Sequence, residues 1–252
     1  MGWLQDLHVM AHSTLHRQRG GTHAERLQGY YGPQAAYYDA FRQRLLHGRL
    51  PLLRALPLPA GARVLDVGGG TGFLWELAGT RRAELDSLVV LDLCPALLEQ
   101  ARARVSRLGW SNVRVIEGDA TLQNWHDKPF DVVVFSYCLT MIPDWFRAID
   151  RAVELLRPGG LVGTTDFYVS RKWPDSGMRR HSAWRRFFWP CWFGWHGLSL
   201  NPDHLPYLQS RFDTVHLEES LGRVPYMGGQ RAPYYVFVGR SLGRQVNASS
   251  PV

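Results

Sequence analysis

Val64-Leu65-Asp66-Val67-Gly68-Gly69-Gly70-Thr71-Gly72 is the stretch that decides how this 252-residue chain is read. Its first half, with Arg63 before it, is a short branched-aliphatic run of the kind that forms a buried parallel strand. Its second half places glycines at 68, 70 and 72, with Gly69 between them, where the backbone must turn sharply and a helix then begins. Without a Cβ these positions let a ligand come close to the main chain. Working outward, similar runs recur at Ser87 to Asp92, Val113 to Ile116, Phe130 to Phe135 and Leu161 to Phe167. Helical spacing lies between them, in Leu98, Ala101, Val105 and Leu108, and in Phe146, Ile149, Val153 and Leu156 before the stop at Arg157 to Gly160. Strand alternating with helix predicts an α/β, Rossmann-like, doubly wound and mostly parallel sheet. A helix over Pro202 to Phe212 is followed by two strand candidates, Thr214 to Glu218 and Tyr234 to Gly239, with no helix between them. They predict a C-terminal antiparallel hairpin and bring the sheet to seven strands.

The hairpin and the glycine spacing separate two possible ligands. A dinucleotide fingerprint wants its last glycine at position 73, which is Phe73. Glycines at alternate positions suit instead the loop that cups the amino-acid end of S-adenosylmethionine, with Asp66 in the strand before it. Asp92, twenty residues past Gly72, ends the second strand where a carboxylate can accept from both ribose hydroxyls, with Leu93 beside it. An N-cap role ahead of Pro95 is the competing reading. Asp119 and Ala120 follow the third strand and suit an adenine amino group and ring, and Ser136 ends the fourth. S-adenosyl-L-methionine is therefore the expected cofactor. Ser136 to Thr140 lacks the Asn or Asp followed by Pro-Pro and an aromatic that nucleobase-methylating enzymes commonly carry. With no nucleic-acid-binding module in view, a nucleic-acid partner is not expected.

Hydrophobic residues make up 45% of the chain and charged residues 20%, ordinary for a globular protein. No run approaches the roughly 20 apolar residues of a membrane span, and the N-terminus lacks the pattern of a cleaved leader, so a cytoplasmic location is expected. Three cysteines, Cys94, Cys138 and Cys191, have no metal-ligand spacing, and no metal is expected. The chain divides into an N-terminal helical segment and linker (1–60), a core (61–242) and a tail (243–252) that reads as disordered, where the Asn247-Ala248-Ser249 sequon is most simply chance.

A net charge of +7 favours an anionic partner. Tyr30 to Leu53 reads as helical, with Tyr31, Tyr38 and Arg42 on a face that closes over the cofactor or simply packs; Arg42 or Arg49 is placed to pair with the cofactor carboxylate. Arg171 to Gly197, within an insertion over 171–201, combines six Arg and Lys with Trp173, Trp184, Trp189, Trp192 and Trp195. Such a lid suits the headgroup layer of an anionic membrane, indoles at the interface and arginines on phosphates, and places the protein peripherally on the inner face. A lid packed on the sheet with its tryptophans as core is the alternative.

With those residues in hand, the chain resembles the diacylglyceryl-homoserine N-methyltransferases of bacterial betaine-lipid synthesis over about Tyr30 to Arg240. The resemblance rests on YYGPQAAYYDAFR (30–42), HGR (47–49), VLDVGGGTG (64–72), LDLCPALLE (91–99), FSYCLTMIPDWFRAID (135–150), DFYVSR (166–171) and PDHLPYL (202–208). It implies three methyl transfers to a lipid amine, and a separate polypeptide for the upstream aminocarboxypropyl transferase. It also implies a cationic product held by aromatic faces, for which Tyr31, Tyr38, Tyr137, Tyr168 and Tyr234 are candidates, and a proton acceptor, for which Asp166 and His181 are candidates. Methylation of another amphiphile, such as phosphatidylethanolamine or a quinone precursor, and a non-catalytic cofactor-binding role are the competing functions.

Overall fold

The computed structural model describes residues 21–122 and 128–242. The expected tail and its sequon, like residues 1–20, lie outside them. Seven strands form one sheet: β1 Arg63–Val67, β2 Ser87–Asp92, β3 Val113–Glu117, β4 Phe130–Ser136, β5 Leu156–Phe167, β6 Phe212–Arg223 and β7 Arg231–Ser241. Their order is β3-β2-β1-β4-β5-β7-β6, with β7 antiparallel to both of its neighbours and every other pair parallel. The chain moves outward from β1 on one side to β3, then returns to β4 on the other. The carboxyl ends of β1 and β4 therefore flank a topological switch point, the crevice where ligands bind in open α/β sheets.

Both faces of the sheet are covered, which is why the parallel strands read as unbroken apolar runs. Val64, Val90 and Val134 face one core with Leu52, Trp75 and Trp189. Leu65, Val89 and Val133 face the other with Ile149, Leu208 and Phe237. The helices are α1 His23–Tyr31, α2 Tyr38–Leu45, α3 Arg49–Ala55, α4 Phe73–Leu77, α5 Thr80–Ala83, α6 Pro95–Arg107, α7 Trp145–Leu155, α8 Ala183–Trp195 and α9 His204–Arg211. Leu45, Leu52, Leu53 and Leu56 share a core with the sheet, so the N-terminal segment packs as part of the same body.

Several expected boundaries change. Tyr30 to Leu53 is not one helix: a 3₁₀ turn over Gly32–Tyr37, with Pro33 at its start, separates α1 from α2. Helix α1 begins earlier, at a complete capping box in which Thr22 accepts from the Glu25 N–H and Glu25 accepts from the Thr22 N–H. Strand β5 starts at Leu156, and Arg157 to Gly160 form a bulge against β4. The hairpin strands run to 12 and 11 residues. Helix α7 buries Ala148, Ile149 and Ala152 and exposes Phe146; α6 buries Leu97, Leu98 and Ala101 and leaves Leu108 exposed at its C-cap.

Candidate active site

The glycine loop is as its spacing predicts. Gly68, Gly70 and Gly72 all have left-handed φ values, at 63, 56 and 69°, while Gly69 does not. Gly68 is the most constrained, because a Cβ there would lie 2.4 Å from that of Cys138. Phe73 opens α4 and carries the Arg49 and Arg104 guanidinium groups 6.0 and 5.4 Å from its ring, so an aromatic has a use where a dinucleotide site needs glycine. Asp66 lies beneath the loop. Its Oδ2 accepts from Trp75 Nε1 at 2.8 Å, its Oδ1 is buried with no partner, and burial raises its pKa to about 7.

A cavity of about 250 Å³ opens at the switch point. It gathers Tyr31, Tyr38, Arg49, Gly68, Gly69, Gly70, Asp92, Leu93, Asp119, Ala120, Ser136 and Tyr137 from five separate parts of the sequence. Asp66 and Gly72 stand behind this wall. Asp92 lines the cavity, and its oxygens accept from the N–H groups of Gly70 and Cys94, each at 2.9 Å; the N-cap ahead of Pro95 is Cys94 and not Asp92. Burial raises its pKa, against the pull of those donors. Asp119 accepts from the Thr121 N–H and hydroxyl, which fixes the turn after β3.

Arg49 and Arg42, equivalent on sequence, are separated by the fold. Arg49 lines this cavity and is buried, with neither Nε nor Nη1 bonded. Two unsatisfied guanidinium donors in a buried site are complementary to a carboxylate. The neighbouring Gly48 explains how Arg49 is held. Its N–H donates to the Tyr137 hydroxyl at 2.9 Å, and a Cβ would lie 1.9 Å from Thr165 Oγ1. His47 bonds to the Arg223 carbonyl at 2.8 Å. The tripeptide His47-Gly48-Arg49 thus ties the hairpin, the end of β4 and the cavity together. Tyr137, with φ of 58°, turns away from the strand into that wall. Asp39 makes a second clamp, accepting from Thr71 of the glycine loop and from Arg104, each at 2.7 Å.

Besides Asp66 and Gly72, four more expected site residues are absent from the cavity lining. Asp166 is on the opposite face of β5, where Thr140 and the Phe167 N–H saturate its oxygens at 2.8 to 3.1 Å; burial raises its pKa to about 7. Alternation along the strand turns it away from Phe167, which faces Tyr137. The Tyr168 hydroxyl donates to Glu219. His181 Nδ1 accepts from the Ser170 N–H at 3.0 Å, and burial lowers its pKa to about 4. Tyr234 stacks beside His47. None of the four is placed to act on a ligand in the cavity. Conversely, His23, Leu27, Met141 and Asp144 line it unforeseen. The Thr22-to-Glu25 capping signal announced the helix that carries the first two, and Gln28 fastens that helix by accepting from the Ala96 N–H at 3.1 Å.

The tryptophan-rich segment is divided between core and surface. Helix α8 buries Trp189 and Phe193 and leaves Trp184, Phe187 and Trp195 exposed, as is Trp173 before it. Arg180 lies 4.5 Å over the Trp173 ring. Phe193 packs on Phe167, and Phe167 on Tyr137, so the inner face of the helix reaches the cavity wall. No helix among the described residues is long and apolar enough to cross a membrane.

Residues 64–160 match the family described as methyltransferase domain. Together with the sheet order and the cavity, this defines a class I S-adenosylmethionine-dependent methyltransferase domain. Its cofactor is S-adenosyl-L-methionine, and Arg49, Asp92 and Asp119 all line the cavity. The ubiquinone/menaquinone biosynthesis C-methyltransferase of Roseobacter denitrificans is 29% identical over 153 residues, 58% of this chain and 61% of that protein. The chain thus spans about three fifths of that relative's length. Among solved structures, the N-methyltransferase NodS of Bradyrhizobium japonicum with S-adenosyl-L-homocysteine superposes with a TM-score of 0.64 at 17% identity, covering 85% of this chain and 98% of the other. The phosphoethanolamine N-methyltransferase 2 of Haemonchus contortus with S-adenosyl-L-methionine gives 0.66 at 16%, covering 89% and 61%. At those identities the likeness is one of fold.

Proposed function

We propose that this protein is a lipid N-methyltransferase that converts diacylglyceryl-homoserine to its trimethylated betaine in three transfers, working at an anionic membrane surface. The observation that carries the reading is helix α8. Its inner face reaches the cavity wall through Phe193 and Phe167, while its outer face presents Trp184 and Phe187, with the half-buried Arg185 and Arg186 between them in sequence. That arrangement suits an acceptor whose headgroup enters the protein while its chains stay in a lipid layer.

S-adenosylmethionine supplies a methyl group already activated on a sulfonium. The chain's own residues then have three tasks: to orient the acceptor nitrogen, to keep water out and to favour the neutral amine. Tyr31, Tyr38 and Tyr137 wall the cavity with aromatic faces, which tolerate an ammonium product. Burial raises the Tyr31 and Tyr137 pKa values, so both hydroxyls stay protonated and uncharged. With Asp166 and His181 off the cavity, the amine proton leaves to water at the rim, where Asp144 is an exposed carboxylate of the lining.

The test is methyl transfer from labelled cofactor to diacylglyceryl-homoserine, phosphatidylethanolamine and a demethylated quinone, side by side. Preferential formation of the trimethylated homoserine lipid supports the reading. Preference for the quinone, on which the Roseobacter relative is named as acting, would replace it with C-methylation. Cofactor binding with no transfer to any of the three would point to a non-catalytic role. Vesicles containing phosphatidylglycerol should bind the wild type, and W184A/F187A should lose that binding without loss of fold.

A further inference from the structure

A second cavity of about 310 Å³ lies beside the first, between helix α2, helix α8 and the β6–β7 turn. Phe41, Leu45, Trp192, Phe193 and Met227 give it an apolar lining, and one charged side chain joins them, Arg42. Arg42 is 7% exposed, and its Nε has no hydrogen-bond partner. Its guanidinium carbon stands 5.1 Å from the Tyr38 ring and 5.8 Å from the Phe41 ring. It makes no ion pair with a described residue. The two cavities share a tyrosine wall: Tyr30 lines this one, Tyr31 and Tyr38 line the cofactor cavity, and the ring centres step by 4.9 and 5.5 Å.

A buried guanidinium without an acid partner is costly, and aromatic faces offset only part of that cost. An apolar cavity beside such a group is complementary to one kind of molecule, an apolar body with an anionic head. We propose that this second cavity binds an anionic amphiphile, its carboxylate or phosphate on Arg42 and its apolar portion against Phe41, Trp192, Phe193 and Met227. Arg49 is assigned to the cofactor, and Arg42 to the acceptor side of the tyrosine wall. The site deepens the lipid reading and rests on it only for the ligand's being the acceptor.

Binding is measured calorimetrically on the full chain, with S-adenosylhomocysteine present to fill the first cavity, using decanoate, decyl phosphate, decanol and decyltrimethylammonium. The two anions should bind about tenfold to a hundredfold more tightly than decanol, the worth of one charge-assisted hydrogen bond, and the cation more weakly still. The ratio of decanoate to decyl phosphate identifies which anionic head the site prefers. R42M should abolish the preference for anions, and R42K should keep part of it. M227W, at a half-buried position, should weaken all four ligands by narrowing the cavity. Equal binding of decanol and decanoate, an anion preference that survives R42M, or affinities unchanged in M227W would each overturn the proposal. Anion binding without methyl transfer to a lipid amine would sink the functional reading alone; transfer without anion binding would sink this site alone.

Discussion

The two cavities meet at Tyr30, Tyr31 and Tyr38 yet are built differently. The cofactor cavity joins side-chain walls to a stretch built from backbone: a loop of left-handed glycines, strand ends and N–H groups held by Asp92. The second is formed by side chains of helices α2 and α8 and the hairpin turn, the first of which is more than a hundred residues from the other two in sequence. Backbone sites tolerate no added volume, whereas side-chain sites tolerate shape changes and are tuned by single charges. Four measurements would break or sharpen that contrast.

The largest effect is expected within helix α8, where the buried Trp189 lies five residues from the exposed Trp184. Trp189→Ala should cost about 3–5 kcal/mol of unfolding free energy, as for large aromatics removed from a core. Trp184→Ala should cost less than about 0.5 kcal/mol. Denaturant titration of both decides the matter, and similar losses would show that the helix does not sit as described.

Next is the glycine loop. Gly68→Ala adds a methyl against Cys138 at a left-handed φ, costing about 1–2 kcal/mol for the backbone and about 1–3 kcal/mol for overpacking. Thermal melts should show it, together with loss of cofactor binding. Arg49→Met should act on affinity alone. Losing a charge-assisted partner of the cofactor carboxylate should weaken binding by about 1.5–3 kcal/mol, roughly tenfold to a hundredfold. Stability without cofactor should hold or rise, because an unpaired buried charge has been removed. A variant that binds cofactor normally would move the carboxylate elsewhere.

The smallest effect is a slope. Asp66 and Asp166 are raised by burial to about 7, so between the unfolded value of 3.8 and about 7 the folded chain holds the extra protons and stability falls as pH rises. His181 and His204 are lowered by burial to about 4, so between about 4 and 6.5 the unfolded chain holds the extra protons and stability rises with pH. The two pairs oppose each other where their windows overlap. Asp166→Asn removes one falling contribution. Between about pH 5 and 6 its unfolding free energy should climb more steeply than the wild type's, by about 1.4 kcal/mol per pH unit. Parallel profiles would mean that Asp166 is ionised in the folded protein.

Much of the cofactor site was legible because its parts are local. Strand, glycine loop and helix follow one another in a single stretch, and Asp92 ends one strand and Asp119 closely follows another that composition alone marks. The reading went astray wherever a side chain's direction mattered. Asp166 and Phe167 are adjacent and both sit near the cavity's end of β5, but the strand sends them to opposite faces. Tyr168 and His181 are engaged by Glu219 and Ser170, partners 51 and 11 residues away that no local pattern marks.

The sequence by itself determined the seven-stranded alternation, the terminal hairpin, the S-adenosylmethionine loop and the aromatic, basic character of the lid, because each follows from short-range periodicity, spacing or composition. Only the tertiary structure decided that Arg49 and not Arg42 lines the cavity at the switch point, that Trp189 is core while Trp184 is surface, and that a second cavity exists at all. Those are questions of which groups meet after the chain has folded, and a meeting between helix α2, helix α8 and a hairpin turn leaves no local trace in any one of them.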